Sequence, residues 1–136
     1  MTRIEPVTIE VKDRVWGEEI FIAQTAHYLG KVLKMRAGTK GGLQYHVEKD
    51  ETFYLLDGEA LVRSDDGHGK LIETRMGAGE AYHIPPGAPH QVEAVTDCVF
   101  LEASTPHYED RVRCEELYGR AFDGGLPSTW DSPWAV

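Results

Sequence analysis

The feature that most restricts this chain is the shortness of its patterned segments. From Val7 onward, apolar and polar residues alternate over stretches of about four to seven residues, and each stretch ends at a glycine, a proline or a polar cluster. Val7–Val11, Glu19–Ala23 and Leu29–Met35 alternate in this way and carry β-branched or aromatic residues. Thr52–Leu56 runs into Asp57-Gly58, a pair that predicts a hairpin turn, and Glu59–Arg63 runs out of it. A polar tip, Ser64–Lys70, precedes Leu71–Arg75. A Gly77/Gly79 turn, Ala81–Ile84, the rigid Pro-Pro-Gly-Ala-Pro turn, His90–Ala94 and Cys98–Ala103 follow. Many short strands with turns at this spacing predict an all-β sandwich or barrel of the jelly-roll type. Tyr108–Arg120 fits a short helix as well as a strand. The last stretch, 121–136, reads as a tail whose Trp130 and Trp134 would dock on the barrel or on a partner subunit.

At 136 residues the chain fits a single domain over 1–136, with no internal repeat or linker. Its net charge of −9, with scattered lysines and arginines, argues against nucleic acid and anionic membrane as partners. No apolar run approaches the roughly 18–20 residues of a membrane helix. The N-terminal residues lack the basic-then-apolar profile of a signal peptide, so a cytoplasmic protein is expected. Cys98 and Cys114 have no ligand-like spacing and read as reduced thiols.

Two stretches carry the chemistry. In the first, 38–58, Gln44 and His46 stand two apart and therefore face the same way on a strand, and Glu51 follows after a turn. In the second, 79–94, His90 opens a strand just beyond Pro85-Pro86-Gly87. Two imidazoles, a carboxylate and an amide oxygen suit a divalent first-row metal.

These stretches resemble the paired motifs of the cupin superfamily, Gly-x5-His-x-His-x4-Glu-x6-Gly and Gly-x5-Pro-x-Gly-x2-His-x3-Asn. Here they read Gly38, Gln44, His46, Glu51, Gly58, then Gly79, Pro85, Gly87, His90, with every spacing kept. Gln44 stands where the motif has its first histidine, and Ala94 where it has asparagine. Gln-x-His at this point resembles the mannose-6-phosphate isomerase group, as do Val15-Trp16-Gly17 and Ser104–Arg120. The resemblance implies a double-stranded β-helix, the jelly-roll barrel, with a short C-terminal helix or tail. It also implies one divalent metal ion per chain on Gln44, His46, Glu51 and His90, with zinc placed first and iron, manganese or nickel as alternatives.

A site with open coordination positions suits Lewis-acid catalysis. The resemblance therefore implies an isomerase or epimerase acting on a sugar, sugar phosphate or similar small polyol. The alternatives are a metal-dependent oxygenase or lyase and a non-catalytic binding module. With Glu51 on the metal, the proton-transfer group would come from Lys34, Tyr54, His83 or Glu102, and Arg36 and Lys40 would bind substrate. Trp16-Gly17 and Arg113 read as elements that close the fold. A small-molecule substrate and a homodimer are the expected partners.

Overall fold

The computed structural model describes residues 1–130; 131–136, and with them Trp134, lie outside the described residues. Among the described residues, eleven strands make two antiparallel sheets. The strands are β1 (Glu10–Arg14), β2 (Gly17–Gln24), β3 (Leu29–Met35), β4 (Gln44–His46), β5 (Glu51–Asp57), β6 (Glu59–Asp65), β7 (Leu71–Gly77), β8 (Ala81–Ile84), β9 (His90–Ala94), β10 (Cys98–Ser104) and β11 (Arg111–Arg113). One sheet has the order β1-β2-β3-β10-β5-β8 and the other β11-β4-β9-β6-β7, the arrangement of a jelly-roll. No helix among the described residues is long and apolar enough to cross a membrane.

Alternation locates β3, β8 and β9 at the residues expected of them. Two expectations are corrected. The first strand begins at Glu10 rather than Val7, because β2 supplies partners only for Glu10 to Arg14. Asp57-Gly58 is a corner and not a hairpin: β5 pairs with β10 and β8, whereas β6 pairs with β7 and β9, so the chain changes sheet there. Gly58 has φ 105°, and a side chain on it would collide with the Asp97 carbonyl. A corner demands the same positive φ as a tight hairpin, so the dipeptide does not distinguish the two. The true hairpin joins β6 to β7 across the polar tip, where Asp65 and Asp66 accept backbone N–H bonds from Gly67 and His68 (2.7 Å each).

Successive inward positions on one strand lie two residues apart, and here their chemistry changes along the strand. On β10 the buried face reads Cys98, Phe100, Glu102, Ser104; on β5 it reads Leu55, Phe53, Glu51; on β9, Ala94 and His90 are its buried ends. The apolar level, with Met35, Leu55, Val62, Met76 and Phe100, forms the core, and Trp16 and Leu33 pack against it. The ionisable level occupies the other end of the same strands.

The segment Tyr108–Arg120 resolves into both alternatives, the strand β11 and a 3-10 helix over Glu115–Tyr118. Beyond Gly119 the chain turns back along β11 as a strap. The Arg113 guanidinium donates to Glu115 and to the Gly124 and Leu126 carbonyls (2.8 and 3.2 Å), and its plane meets the Phe122 ring. Ser128 Oγ accepts the Arg113 N–H (2.8 Å), while the Arg111 carbonyl accepts the N–H groups of Thr129 (3.0 Å) and Trp130 (3.3 Å). Gly125, at φ 69°, lies directly on Gly42. A methyl group at Gly125 meets the Gly42 backbone, so Gly125→Ala should lift the strap while leaving the barrel folded. The expected loss is about 1–3 kcal/mol. Limited proteolysis should show faster cleavage within 119–130 and an unchanged barrel fragment; equal cleavage rates would count against this docking.

Candidate metal centre

His46 ends β4, while Glu51 and His90 begin β5 and β9, so three strand termini meet at the ionisable level. His46 Nε2 lies 3.6 Å and His90 Nε2 3.4 Å from the same atom, Glu51 Oε1. One donor atom from each of the three residues falls within 4.8 Å of the others, and all three residues are buried. The other nitrogen of each imidazole faces an oxygen. His90 Nδ1 meets the Ala88 carbonyl at 2.9 Å. His46 Nδ1 faces Asp110 Oδ1 at 3.2 Å without the geometry of a hydrogen bond, and neither atom has a hydrogen-bond partner among the described residues. A ring whose Nδ1–H is directed at an acceptor presents its Nε2 lone pair, the form in which histidine binds a metal. Gln44 lines the same cavity and stands opposite His90 in the β4–β9 register. The donor set therefore fits a divalent first-row ion, held by His46, Glu51 and His90 with Gln44 adjacent.

Asp110 also shapes the loop between the first two donors. Its Oδ2 accepts the N–H groups of Glu48 (2.7 Å) and Lys49 (2.8 Å), and its carbonyl accepts that of Val47 (3.0 Å). The loop so pinned directs Lys49 into the barrel, where its ammonium bridges Glu51 Oε2 (3.0 Å) and Glu102 Oε2 (2.7 Å). From Glu102 the ion pairs continue to Lys31 (3.5 Å), then Glu19 (2.9 Å), then Arg14 (2.8 Å). Read outward, Glu51, Glu102, Lys31, Glu19 and Arg14 belong to β5, β10, β3, β2 and β1, which is the strand order of the sheet. Burial pushes the Glu51 carboxyl up, but the Lys49 charge and the two imidazoles outweigh it and hold the group well below the ordinary carboxylate range. Burial likewise lowers the Lys49 ammonium, and the facing carboxylates of Glu102 and Glu51 more than reverse this.

The cavity has a volume of about 150 Å³. Beside the donors it is lined by Lys31, Lys49, Glu102, Tyr108 and Arg111, and on its apolar side by Trp16, Leu33, Phe53 and Phe100. Of the residues singled out from the sequence, Gln44, His46, Glu51, His90 and Glu102 come together here. Lys34 and Tyr54 stand on the outward phase of β3 and β5. His83 is exposed and paired with Asp50 at 2.6 Å in a separate shallow depression. Arg36 is exposed and donates to the Val15 carbonyl (2.5 Å), and Lys40 pairs with Asp123 of the strap (2.5 Å). Glu19, Lys31, Lys49, Asp110 and Arg111 were not among the sequence candidates. The readable signal was a charge in the apolar phase of a strand: Glu19 shares a face with Phe21, and Lys31 with Leu29 and Leu33.

Residues 31–104 match the family model described as a cupin domain. Among curated proteins, the chain is 26% identical over 105 residues to a 3-hydroxyanthranilate 3,4-dioxygenase of Xanthomonas campestris pv. campestris, covering 72% of this chain and 58% of that protein. The chain thus spans little more than half the length of the curated relatives it matches. Among solved structures it resembles oxalate decarboxylase from Bacillus subtilis (TM-score 0.69, 16% identity, 83% of this chain and 32% of that one). It also resembles KdgF from Halomonas sp. (TM-score 0.65, 19% identity, 73% and 89%) and the capsular polysaccharide assembling protein CapF from Staphylococcus aureus (TM-score 0.67, 21% identity, 78% and 34%). At these identities the structural likeness is one of fold.

Two predictions follow from the geometry of the buried charges. Asp110→Ala removes the acceptor behind His46 and the pin of the 47–49 loop, so metal affinity measured by chelator competition should fall about ten- to a hundredfold. Unchanged affinity would show that Asp110 does not orient the donors. Glu19 is pushed up by burial but held below its ordinary value of 4.5 by Lys31 and Arg14. Its stabilisation is therefore present above 4.5 and is lost as pH falls through the lower folded-state value. Urea denaturation between neutral and acid pH should give Glu19→Gln a shallower loss of stability than the wild type; parallel curves would refute the assignment.

Proposed function

The chain belongs to the cupin domain family, and from that premise we propose that it is a metal-dependent enzyme that moves a proton on a small hydroxylated carbonyl compound, as a sugar isomerase or epimerase does. The observation that supports this reading is the position of Glu102. Its Oε2 is held by Lys49 and Lys31 and accepts the Ser104 hydroxyl (3.3 Å), and no partner among the described residues engages Oε1. A carboxylate fixed through one oxygen, lining the cavity that also holds the donor set, suits a general base.

In this reading His46, Glu51 and His90 hold the ion, and Gln44 is assigned as a further donor through its amide oxygen. When bound, the ion supplies Lewis acidity toward a carbonyl or hydroxyl oxygen. Glu102 takes the proton from the carbon beside the carbonyl and returns it to the former carbonyl carbon, while the proton of the adjacent hydroxyl passes to the former carbonyl oxygen, so that carbonyl and hydroxyl exchange places. Lys49 and Lys31 balance the Glu102 charge and keep the carboxylate in place between the two transfers. The apolar wall of Trp16, Leu33 and Phe100 limits water at the reacting carbons. Aldoses and sugar phosphates are the first panel of compounds to assay.

A second reading, oxygenation, draws on two observations: a two-histidine, one-carboxylate set is the donor pattern of non-haem iron oxygenases, and the curated relatives are dioxygenases.

The test is hydrogen exchange. Protein of measured metal content is incubated with the panel in deuterated water, and deuterium at the carbon beside the carbonyl is followed by mass spectrometry. Exchange should require metal, and Glu102→Gln should lower its rate about 10²–10⁴-fold while metal content stays constant. Oxygen uptake with an iron-loaded sample and no exchange would favour the second reading and reject the first.

A further inference from the structure

Three cations line the cavity, and they differ in how their charge is met. Lys31 and Lys49 are each clamped between buried carboxylates, Glu19 and Glu102 for the first, Glu51 and Glu102 for the second. Arg111 is different. Its only carboxylate partner among the described residues is Glu109, at 3.2 Å and 46% exposed, so solvent screens most of that pairing. The Arg111 side chain is itself 12% exposed, and no described residue engages its Nη1.

Its direction is set by two elements. Arg111 stands opposite His46 in the β11–β4 register, so the two side chains share a face of the sheet, and both line the cavity. The strap then fixes it: Nε donates to the Pro127 carbonyl (2.8 Å), the backbone N–H donates to Thr129 Oγ1 (2.9 Å), and the backbone carbonyl accepts the Thr129 N–H. With Nε and Nη2 occupied, the guanidinium is rotationally fixed and one edge of it is uncommitted. Such an edge suits a planar or tetrahedral oxyanion.

We propose that Arg111 is the anion-recognising residue of this cavity, so that the substrate carries a carboxylate or a phosphate next to the group that reaches the His46–Glu51–His90 set. The proposal deepens the proton-transfer reading by naming the substrate class, and it rests on that reading only for the location of the reacting end. The charge count agrees. Lys31, Lys49 and Arg111 match Glu19, Glu51 and Glu102 in number, so a divalent ion on the donor set leaves the lining positively charged, and an anionic ligand restores balance.

The test is binding, which needs no turnover. Zinc-loaded and metal-free protein are titrated with lactate, with inorganic phosphate and with propane-1,2-diol, the neutral counterpart of lactate, and binding is read by ligand-observed NMR. Wild-type protein should bind lactate, phosphate or both, and the diol at least about tenfold more weakly. Arg111→Gln should weaken anion binding about ten- to a hundredfold with zinc content unchanged, and Arg111→Lys should restore part of it. A response to lactate alone marks a carboxylate site and a response to phosphate alone a phosphoryl site; each supports the proposal. Equal binding of anions and diol, or anion binding that survives Arg111→Gln, overturns it. Either failure leaves the hydrogen-exchange result untouched, so the two readings fall separately.

Discussion

Ions buried inside a barrel of this size are costly unless each meets an opposite charge, and in this protein they meet in strand order. Arg14, Glu19, Lys31, Glu102 and Glu51 come from five adjacent strands, with Lys49 inserted from a loop between the last two carboxylates. From Arg14 to Glu102 each charge meets its counter-charge on the next strand, and Lys49 bridges the two carboxylates at the end of the row, which lies across the sheet as a polar seam. Replacing one member strands its neighbours in a low-dielectric interior, which makes the seam sensitive to truncation whatever its net contribution to stability. The same seam fixes where Glu51 and Glu102 can stand, and through them the donor point and the lining of the cavity.

The apolar level makes this tolerable. On β5 and β10 the residues that pack the core and the residues that form the site are successive inward positions of one strand. The rigidity of Phe53, Leu55 and Phe100 is therefore transmitted over a single two-residue step to Glu51 and Glu102. A site built this way needs no separate scaffold, and its precision comes from close packing next door.

Much of this could be read from the sequence, for reasons that differ by residue. Alternation marks strands because the pleat has a period of two, and it located β3, β8 and β9. The spacing of Gln44, His46, Glu51 and His90 was legible because the residues lie in two compact motifs. Asp57-Gly58 misled because a corner and a hairpin make the same demand on the backbone. Arg111 and Lys31 were hidden because what defines them lies far off in the chain: His46 and Pro127 for one, Glu19 and Glu102 for the other. The tail reads as a docking segment, but where it docks was illegible for a further reason. Its anchors are mostly backbone carbonyls and a glycine contact, which leave no mark in side-chain pattern.

The strand order carries a kinetic consequence. β3 finds its second neighbour in β10, and β4 lies between β9 and β11, so most of the barrel is closed by segments distant along the chain. Long loops must close before such pairings form, and proteins of this topology fold slowly for their size. The three residues sit at the meeting of β4, β5 and β9, and Asp110, whose carboxylate faces His46 Nδ1, arrives with the approach to β11. The three donor residues therefore come together only once segments distant along the chain have paired, and the carboxylate behind His46 is in place only when the approach to β11 has joined them.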